Sequence, residues 1–198
     1  ASAASFMSSA QLVLGSTSPR RASLLTAAGF HFRLDEPVVD ETPRSGEDPE
    51  QYVVRLASEK ARAVARRNPG NLVLAADTTV VIDGHILGKP ANDAEATSML
   101  QLLSGRAHRV LTGVALVRVL DEMVELESTE VRFLRLSTAE IDWYVRTGEP
   151  FGKAGGYAIQ GLGSRFIDRI DGSYTNVVGL PVSRVCDMLK RLGQYELP

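Results

Sequence analysis

The stretch NLVLAADTTVVI, residues 71–82, carries the strongest strand signal in the chain. Its run of apolar and β-branched residues is typical of a strand buried in a sheet. The Asp83-Gly84 pair that follows predicts a tight hairpin turn into a short second strand, HIL. A carboxylate, Asp77, interrupts the apolar run, and an ionised carboxylate in a dry core is costly unless it is paired or bound to metal. Such a group either serves as a general base or metal ligand facing a cleft, or caps a neighbouring turn.

Helices and strands alternate on both sides of this strand. Capping residues, most of them followed by proline or by Glu or Gln, predict helices that begin at Ser18, Asp48, Asn92, Ser137 and Pro181. The other strands are predicted at 11–16, 109–117, 124–136, 165–170 and 175–179. We therefore expect an α/β fold with a mixed, twisted sheet and flanking helices, in one large domain or a compact two-lobed one. Residues 1–10 are expected to form an N-terminal tail, with the folded domain at 11–198.

Composition narrows the classes of function. Nucleic-acid-binding domains usually carry a net positive charge or a basic face, whereas this chain has a net charge of −2. Nucleic acid is therefore not an expected partner. The single cysteine, Cys186, excludes an intramolecular disulfide and a cysteine-based zinc site. No apolar run approaches the roughly 18 residues of a membrane span, and the N-terminal stretch lacks the features of a secretory signal. We expect no membrane partner and a reducing, cytoplasmic location.

Two glycine-rich stretches resemble known phosphate-binding loops but fail their rules. GHILGKP, residues 84–90, has three residues between its glycines and a proline after the lysine, so it is no Walker A motif. GGYAIQGLG lacks the dinucleotide-binding spacing and opens no helix. The histidines His31, His85 and His108 are scattered and form no ligand pair, so each is expected to be an ordinary surface or packing residue.

Arg20 and Arg21 follow a helix start at Ser18 and Pro19, where the helix dipole disfavours positive charge. An anion bound there would explain both, because free helix amides and guanidinium groups match phosphate. The alternative is a pair of solvated arginines with minor strain.

Further charged residues suit the same chemistry. Lys60 interrupts an apolar helical stripe, either as a functional group or as a lysine whose head reaches water. Lys89 is held extended by the proline that follows it, and Asp40 and Glu41 form an acidic pair in a polar connection. An inventory of cations and carboxylates without a nucleophile favours phosphoryl chemistry on a nucleotide with a divalent ion.

Several stretches together resemble the Maf family of nucleoside triphosphate pyrophosphatases. They occur in the family's order over nearly the whole chain and are specific as a set: STSPRR at 16–21, SEKA at 58–61, AADT at 75–78, GKP at 88–90, LLSGRAH at 102–108, TGVAL at 112–116, KAGGYAIQGLG at 153–163 and NVVGLP at 176–181. The resemblance implies two lobes around a central cleft, akin to inosine-triphosphate pyrophosphatases. It also implies metal-dependent hydrolysis of a nucleoside triphosphate to the monophosphate and pyrophosphate, with Mg²⁺ or Mn²⁺ as cofactor and a homodimer as the assembly.

The resemblance also implies roles for individual residues. Asp77 matches the catalytic aspartate, as proton acceptor, metal ligand or both, and Asp40 or Glu41 matches a second acidic residue. The phosphate-binding positions match Ser16, Arg21, Lys60 and Lys89.

Arg20, Thr78 and Gln160 match the branch that resembles dTTP and UTP pyrophosphatases, and a glutamine amide offers both a donor and an acceptor to a pyrimidine edge. Two alternatives stay open: a regulatory, septum-associated nucleotide-binding protein, and a pyrophosphatase for 7-methyl-GTP.

Overall fold

The computed structural model describes residues 11–119 and 121–195, so the predicted tail at 1–10 and the last three residues of the predicted domain lie outside it. The strands are β1 (Leu12–Gly15), β2 (Arg33–Leu34), β3 (Leu72–Ile82), β4 (His85–Leu87), β5 (Ala107–Arg118), β6 (Asp121–Phe133) and β7 (Ile167–Asp171). The helices are α1 (Pro19–Ala27), α2 (Pro49–Arg67), α3 (Asp93–Leu103), α4 (Thr138–Arg146), α5 (Tyr174–Val178) and α6 (Val182–Arg191).

These strands form one sheet in the order β2-β1-β3-β5-β6-β7, and β4 pairs with the far end of β3. β1 is parallel to β2 and β3, whereas the pairs from β3 to β7 are antiparallel. β3, which has the strongest strand signal in the sequence, is therefore the strand at which the parallel and antiparallel parts of the sheet meet. The prediction of an α/β fold with a mixed sheet and flanking helices is confirmed.

Local signals place most element boundaries correctly. Capping boxes join Asp48 to Gln51 at the start of α2 and Ser137 to Glu140 at the start of α4. The side chain of Asn92 accepts the amide of Glu95 at the start of α3. Asp83 and Gly84 both have positive φ, 51° and 77°, as a two-residue hairpin turn between β3 and β4 requires.

The predicted strand at 175–179 is wrong, because this segment forms the one-turn helix α5. The side chain of Ser173 accepts the amide of Asn176 and begins the helix, and Gly179, with φ of 134°, ends it. Asn176 is fully buried and donates to the carbonyl of Val110 at 3.1 Å. Capping and this tertiary anchor outweigh the strand propensity of the β-branched residues.

The core has separate parts at the two ends of the long strands. At one end of β3, successive apolar residues point to opposite faces of the sheet. Those on one face pack against α2, and those on the other face pack against α1 and α6. At its other end, Val80 and Ile82 belong to a cluster with α3 and α4. Asp77 and Thr78 lie between these two parts, so the fold leaves the middle of β3 at a junction.

Within residues 11–119 and 121–195, none of the helices has the length and apolar character needed to cross a membrane.

Candidate active site

A cleft of about 330 Å³ lies at this junction, within the range typical of small-molecule sites. Its walls come from the β1–α1 turn, the middle of β3 and the segment 152–160. The cleft brings together the following predicted site residues: Ser16, Arg20, Arg21, Glu41, Lys60, Asp77, Thr78, Lys89 and Gln160. Residues that are up to 144 positions apart in sequence therefore share one surface.

Arg21 is held in place by three protein oxygens. Its guanidinium donates to the carbonyl of Gly179 at 2.7 Å, to the hydroxyl of Thr78 at 3.0 Å and to the hydroxyl of Ser16 at 3.4 Å. Burial lowers the pKa of Arg21, and the nearby Asp77 carboxylate opposes that shift. The side chain is thus fixed at the start of α1, where Ser18 makes no side-chain cap and no acidic residue lies in the first turn.

Lys60 links two of the carboxylates that line the cleft. Its ammonium lies 2.6 Å from Oδ1 of Asp77 and 2.7 Å from Oε1 of Glu41. Lys60 and Asp77 are only 7% and 8% exposed, so the lysine that interrupts the apolar stripe of α2 is buried rather than reaching water. Its burial therefore depends on these partners, because a lone buried charge is strongly unfavourable.

Gly113 allows α2 to approach the sheet closely enough for this contact. It is the β5 neighbour of Asp77, and a Cβ atom built on it would lie 2.2 Å from the carbonyl oxygen of Val53 in α2. Val53 and Lys60 are two turns apart on α2 and therefore lie on the same face of the helix. The close approach at Gly113 thus also sets the distance between the Lys60 side chain and Asp77.

Of the acidic pair that the sequence left open, only Glu41 faces the cleft. Burial favours its protonated form, but hydrogen bonding and attraction to Lys60 outweigh burial, so the pKa of Glu41 is lowered. Asp40 is exposed, does not line the cleft and accepts the amide of Thr42 at 2.9 Å. Its geometry is that of a turn residue.

The remaining predicted residues have different degrees of restraint. The Thr78 hydroxyl is engaged by Arg21, by Thr112 at 2.9 Å and by the carbonyl of Gly179 at 3.2 Å. Arg20 is partly buried and donates to the carbonyl of Gly152 at 3.4 Å. Lys89 and Gln160 are exposed, and their side chains form no hydrogen bond with any residue of the described ranges.

Lys153 and Tyr157 also line the cleft. The sequence places Lys153 among the cations that suit phosphoryl chemistry without a specific role, and it does not single out Tyr157. The ammonium of Lys153 donates to the carbonyls of Glu149 and Phe151, at 2.6 and 3.3 Å. Tyr157 is buried, and its hydroxyl lies 2.8 Å from Nε2 of His108. A lysine and an aromatic residue within a glycine-rich stretch were the only available signals. His108 is a buried packing residue, and burial lowers its pKa to about 4.

The cleft is rich in charge and has more cations than anions. Five cationic side chains line it, Arg20, Arg21, Lys60, Lys89 and Lys153, against three carboxylates, Glu36, Glu41 and Asp77. A surface with this balance favours a polyanionic ligand, because the low-dielectric walls concentrate the field.

The carboxylates suit a divalent cation only in combination with another ligand. Across 11–119 and 121–195, no three His, Cys, Asp or Glu side chains are grouped to hold a metal ion. Glu41 and Asp77 are nevertheless close enough to share the Lys60 ammonium, which shows that the pair accommodates a cation. Mg²⁺ is commonly bound by one or two carboxylates together with substrate phosphates, so the donor set fits such an ion.

Comparisons with known proteins identify relatives over most of the chain. A family model described as "Maf-like protein" matches residues 11–192. A dTTP/UTP pyrophosphatase of Symbiobacterium thermophilum is 55% identical over 92% of this chain and 94% of its own length. Proteins of the same name from Koribacter versatilis and Anaeromyxobacter dehalogenans are each 50% identical, over 92% and 95% of this chain and 94% and 96% of theirs.

A Staphylococcus aureus Ham1 protein of known structure is a more distant likeness, with a TM-score of 0.46 and 16% identity over 62% of this chain and 71% of that one. Since the family model spans nearly the whole described chain and the relatives share half of its residues, the chain belongs to the Maf family.

Proposed function

We propose that this protein hydrolyses pyrimidine nucleoside triphosphates, dTTP and UTP above all, to the monophosphate and pyrophosphate. The observation that carries the proposal is the pairing of a buried carboxylate, Asp77, with Lys60 in a cleft lined by five cationic side chains. The printed names of the relatives at 50–55% identity support the substrate class.

In this proposal the phosphates lie at the start of α1. The free amides there and the fixed guanidinium of Arg21 bind phosphate oxygens, and Lys89, which also lines the cleft, supplies further positive charge. Ser16 belongs to the same cluster, because its hydroxyl accepts both Arg21 and the amide of Ser18. Binding in this way orients the chain of phosphates before any bond changes.

Asp77 acts as the proton acceptor for the attacking water. As water adds to phosphorus and the bond that releases pyrophosphate breaks, the carboxylate takes the proton. Lys60 orients Asp77 through the contact between its ammonium and Oδ1 of the carboxylate. Glu41, Asp77 and phosphate oxygens would hold Mg²⁺ or Mn²⁺, and such an ion, when bound, neutralises charge on the phosphates.

Base selection falls to Arg20 and Gln160, which line the same cleft. Thr78 has a different role here from that of a base contact, because its hydroxyl is already engaged by three protein groups. We assign it to the orientation of Arg21.

The test is product analysis on a panel of dTTP, UTP, CTP, dATP, dGTP and 7-methyl-GTP, with Mg²⁺ and with Mn²⁺. We expect pyrophosphate and monophosphate from dTTP and UTP, and a loss of kcat of roughly 10²- to 10⁴-fold in Asp77→Asn, the effect of removing a general base. Glu41→Gln should also lower activity. Asp40→Asn is its matched control, since it removes a neighbouring carboxylate outside the cleft, and should leave activity unchanged.

Release of single phosphate instead of pyrophosphate would overturn the proposal. Nucleotide binding without turnover, with Asp77→Asn binding equally well, would favour the regulatory alternative. Preference for 7-methyl-GTP would keep the reaction and change the substrate.

A further inference from the structure

The glycine-rich segment EPFGKAGGYAIQGLG, residues 149–163, begins with an acidic residue that the proposed mechanism does not use. Glu149 is partly buried just after α4, and its carboxylate accepts three hydrogen bonds. Oε1 accepts the Tyr144 hydroxyl at 2.8 Å and the amide of Gly163 at 2.9 Å, and Oε2 accepts the amide of Leu162 at 2.9 Å. One side chain at the start of the segment therefore holds the backbone at its end.

Tyr144 extends this restraint to the other side of the loop. Its ring is fully buried in the core, and its hydroxyl accepts the amide of Ala158 at 3.2 Å while donating to Glu149. The two anchored positions, Ala158 and Leu162, lie two residues before and two residues after Gln160. The Glu149–Tyr144 pair thus fixes both ends of the short loop that carries this glutamine.

Gln160 depends on that backbone for its position. It lines the cleft and is exposed, and within the described ranges its side chain forms no hydrogen bond. The neighbouring Gly161 packs directly on the carboxylate, since a Cβ atom there would lie 2.5 Å from Oε2 of Glu149. Loop and carboxylate therefore fit without space for another side chain.

The same segment contacts the second base-selecting residue. Arg20 donates to the carbonyl of Gly152, and Lys153 folds back to donate to the carbonyl of Glu149 at 2.6 Å. Arg20 and Gln160 approach the cleft from distant parts of the sequence, and the 149–163 segment is the structure that both share.

We propose that Glu149 is a positioning residue for base selection: through Tyr144, Leu162 and Gly163 it holds Gln160 where a pyrimidine edge would meet it. This inference rests on the proposed function, because it names what sets the substrate preference of that site. Burial favours the protonated form of Glu149, but the amides of Gly163 and Leu162 and the Tyr144 hydroxyl outweigh it and lower the pKa of Glu149. The group is thus an anion matched to three donors.

The first experiment compares kcat and KM for dTTP, UTP and dATP in Glu149→Gln, Tyr144→Phe and Asp142→Asn. Asp142 is the matched control, an exposed carboxylate on α4 outside the cleft. In Glu149→Gln, the NH₂ group of the new side chain replaces one acceptor oxygen and is placed against groups that also donate, the amides of Leu162 and Gly163. We expect kcat/KM for dTTP and UTP to fall roughly 10- to 100-fold, mainly through KM, with the preference over dATP reduced by a similar factor. Tyr144→Phe should give a smaller loss, and Asp142→Asn none. Glu149→Asp, which keeps the acceptors, should retain part of the preference.

A second measurement separates this inference from the proposed function. Hydrogen exchange of residues 158–163 without nucleotide should be faster by roughly tenfold or more in Glu149→Gln and Tyr144→Phe, and unchanged in Asp142→Asn. If the wild type turns over no nucleotide, the proposed function fails, and calorimetric binding of α,β-imido analogues of dTTP and dATP replaces the kinetics. An equal loss for all nucleotides, a loss confined to kcat, no binding of either analogue, or unchanged exchange would each overturn the role of Glu149.

Discussion

Replacement of Lys60 by methionine tests how far the buried ion pair supports the fold as well as the site. Methionine keeps the length of the side chain, so the change removes charge with little loss of packing. Asp77, which is 8% exposed, then loses its nearest cation, whereas Glu41 is half-exposed and recovers most of its solvation from water. Breaking one partner of a buried pair costs about 3–5 kcal/mol. Because this pair borders an open cleft, we expect about 3 kcal/mol.

For a chain of this size, 1 kcal/mol shifts Tm by about 2–4 °C, so Lys60→Met should lower Tm by about 6–12 °C. Thermal and guanidinium unfolding at pH 7 with chelator present would measure it. The double variant Lys60→Met/Asp77→Asn should recover part of the loss, with a coupling of about 1–3 kcal/mol, since no buried charge is left uncompensated. Lys89→Met is the matched control, because it removes an exposed cleft lysine outside any ion pair of the described residues and should stay within about 0.5 kcal/mol. Equal shifts in Lys60→Met and Lys89→Met, or no recovery in the double variant, would show that the Lys60–Asp77 pair does not stabilise the fold.

Two further predictions concern the packing around the site. Gly113→Ala should destabilise the fold by about 1–3 kcal/mol and lower kcat/KM, because the added Cβ would lie 2.2 Å from the carbonyl oxygen of Val53 and displace α2. Gly88→Ala is the control, since a Cβ atom there meets nothing within 4 Å. Equal denaturation midpoints for the two variants would contradict the prediction. Burial lowers the pKa of His108 from 6.5 to about 4. Between these two pH values the unfolded chain binds more protons at His108 than the folded chain does. The free energy of unfolding therefore decreases as pH falls from 6.5 to about 4. An NMR titration of the His108 ring should show a neutral imidazole down to about pH 4, and protonation near pH 6.5 would show that the imidazole is hydrated.

Local sequence was sufficient where the chemistry of a boundary is local. The cap at Asp48, the cap at Ser137 and the turn at Asp83-Gly84 form as predicted, because each depends on residues within three positions. The segment at 175–179 differs from its predicted strand for the opposite reason. Its β-branched residues indicate a strand, but the anchor that favours a helix is the carbonyl of Val110, far away in sequence.

The candidate site shows the same division. Residue type nominated Asp77, Lys60 and Arg21, because a buried carboxylate, a lysine in an apolar stripe and arginines at a helix start each conflict with their local surroundings. Gln160 was nominated by the resemblance to the Maf family alone. The motif order by itself indicates the family, whose model matches residues 11–192. Those conflicts are visible in sequence because they are unfavourable in isolation.

The packing of distant elements determines which of these unfavourable groups compensate one another. It pairs Lys60 with both Asp77 and Glu41, leaves Asp40 in a turn, and engages the hydroxyl of Thr78 with protein groups. In addition, Glu149 accepts the amides of Leu162 and Gly163 and so holds the loop that carries Gln160. No local sequence pattern predicts this contact, since a glutamate before a proline is typical of an exposed surface position. Sequence specifies the charge and shape of each side chain, whereas the partner that compensates a buried charge is set by the packing of strands and helices distant along the chain.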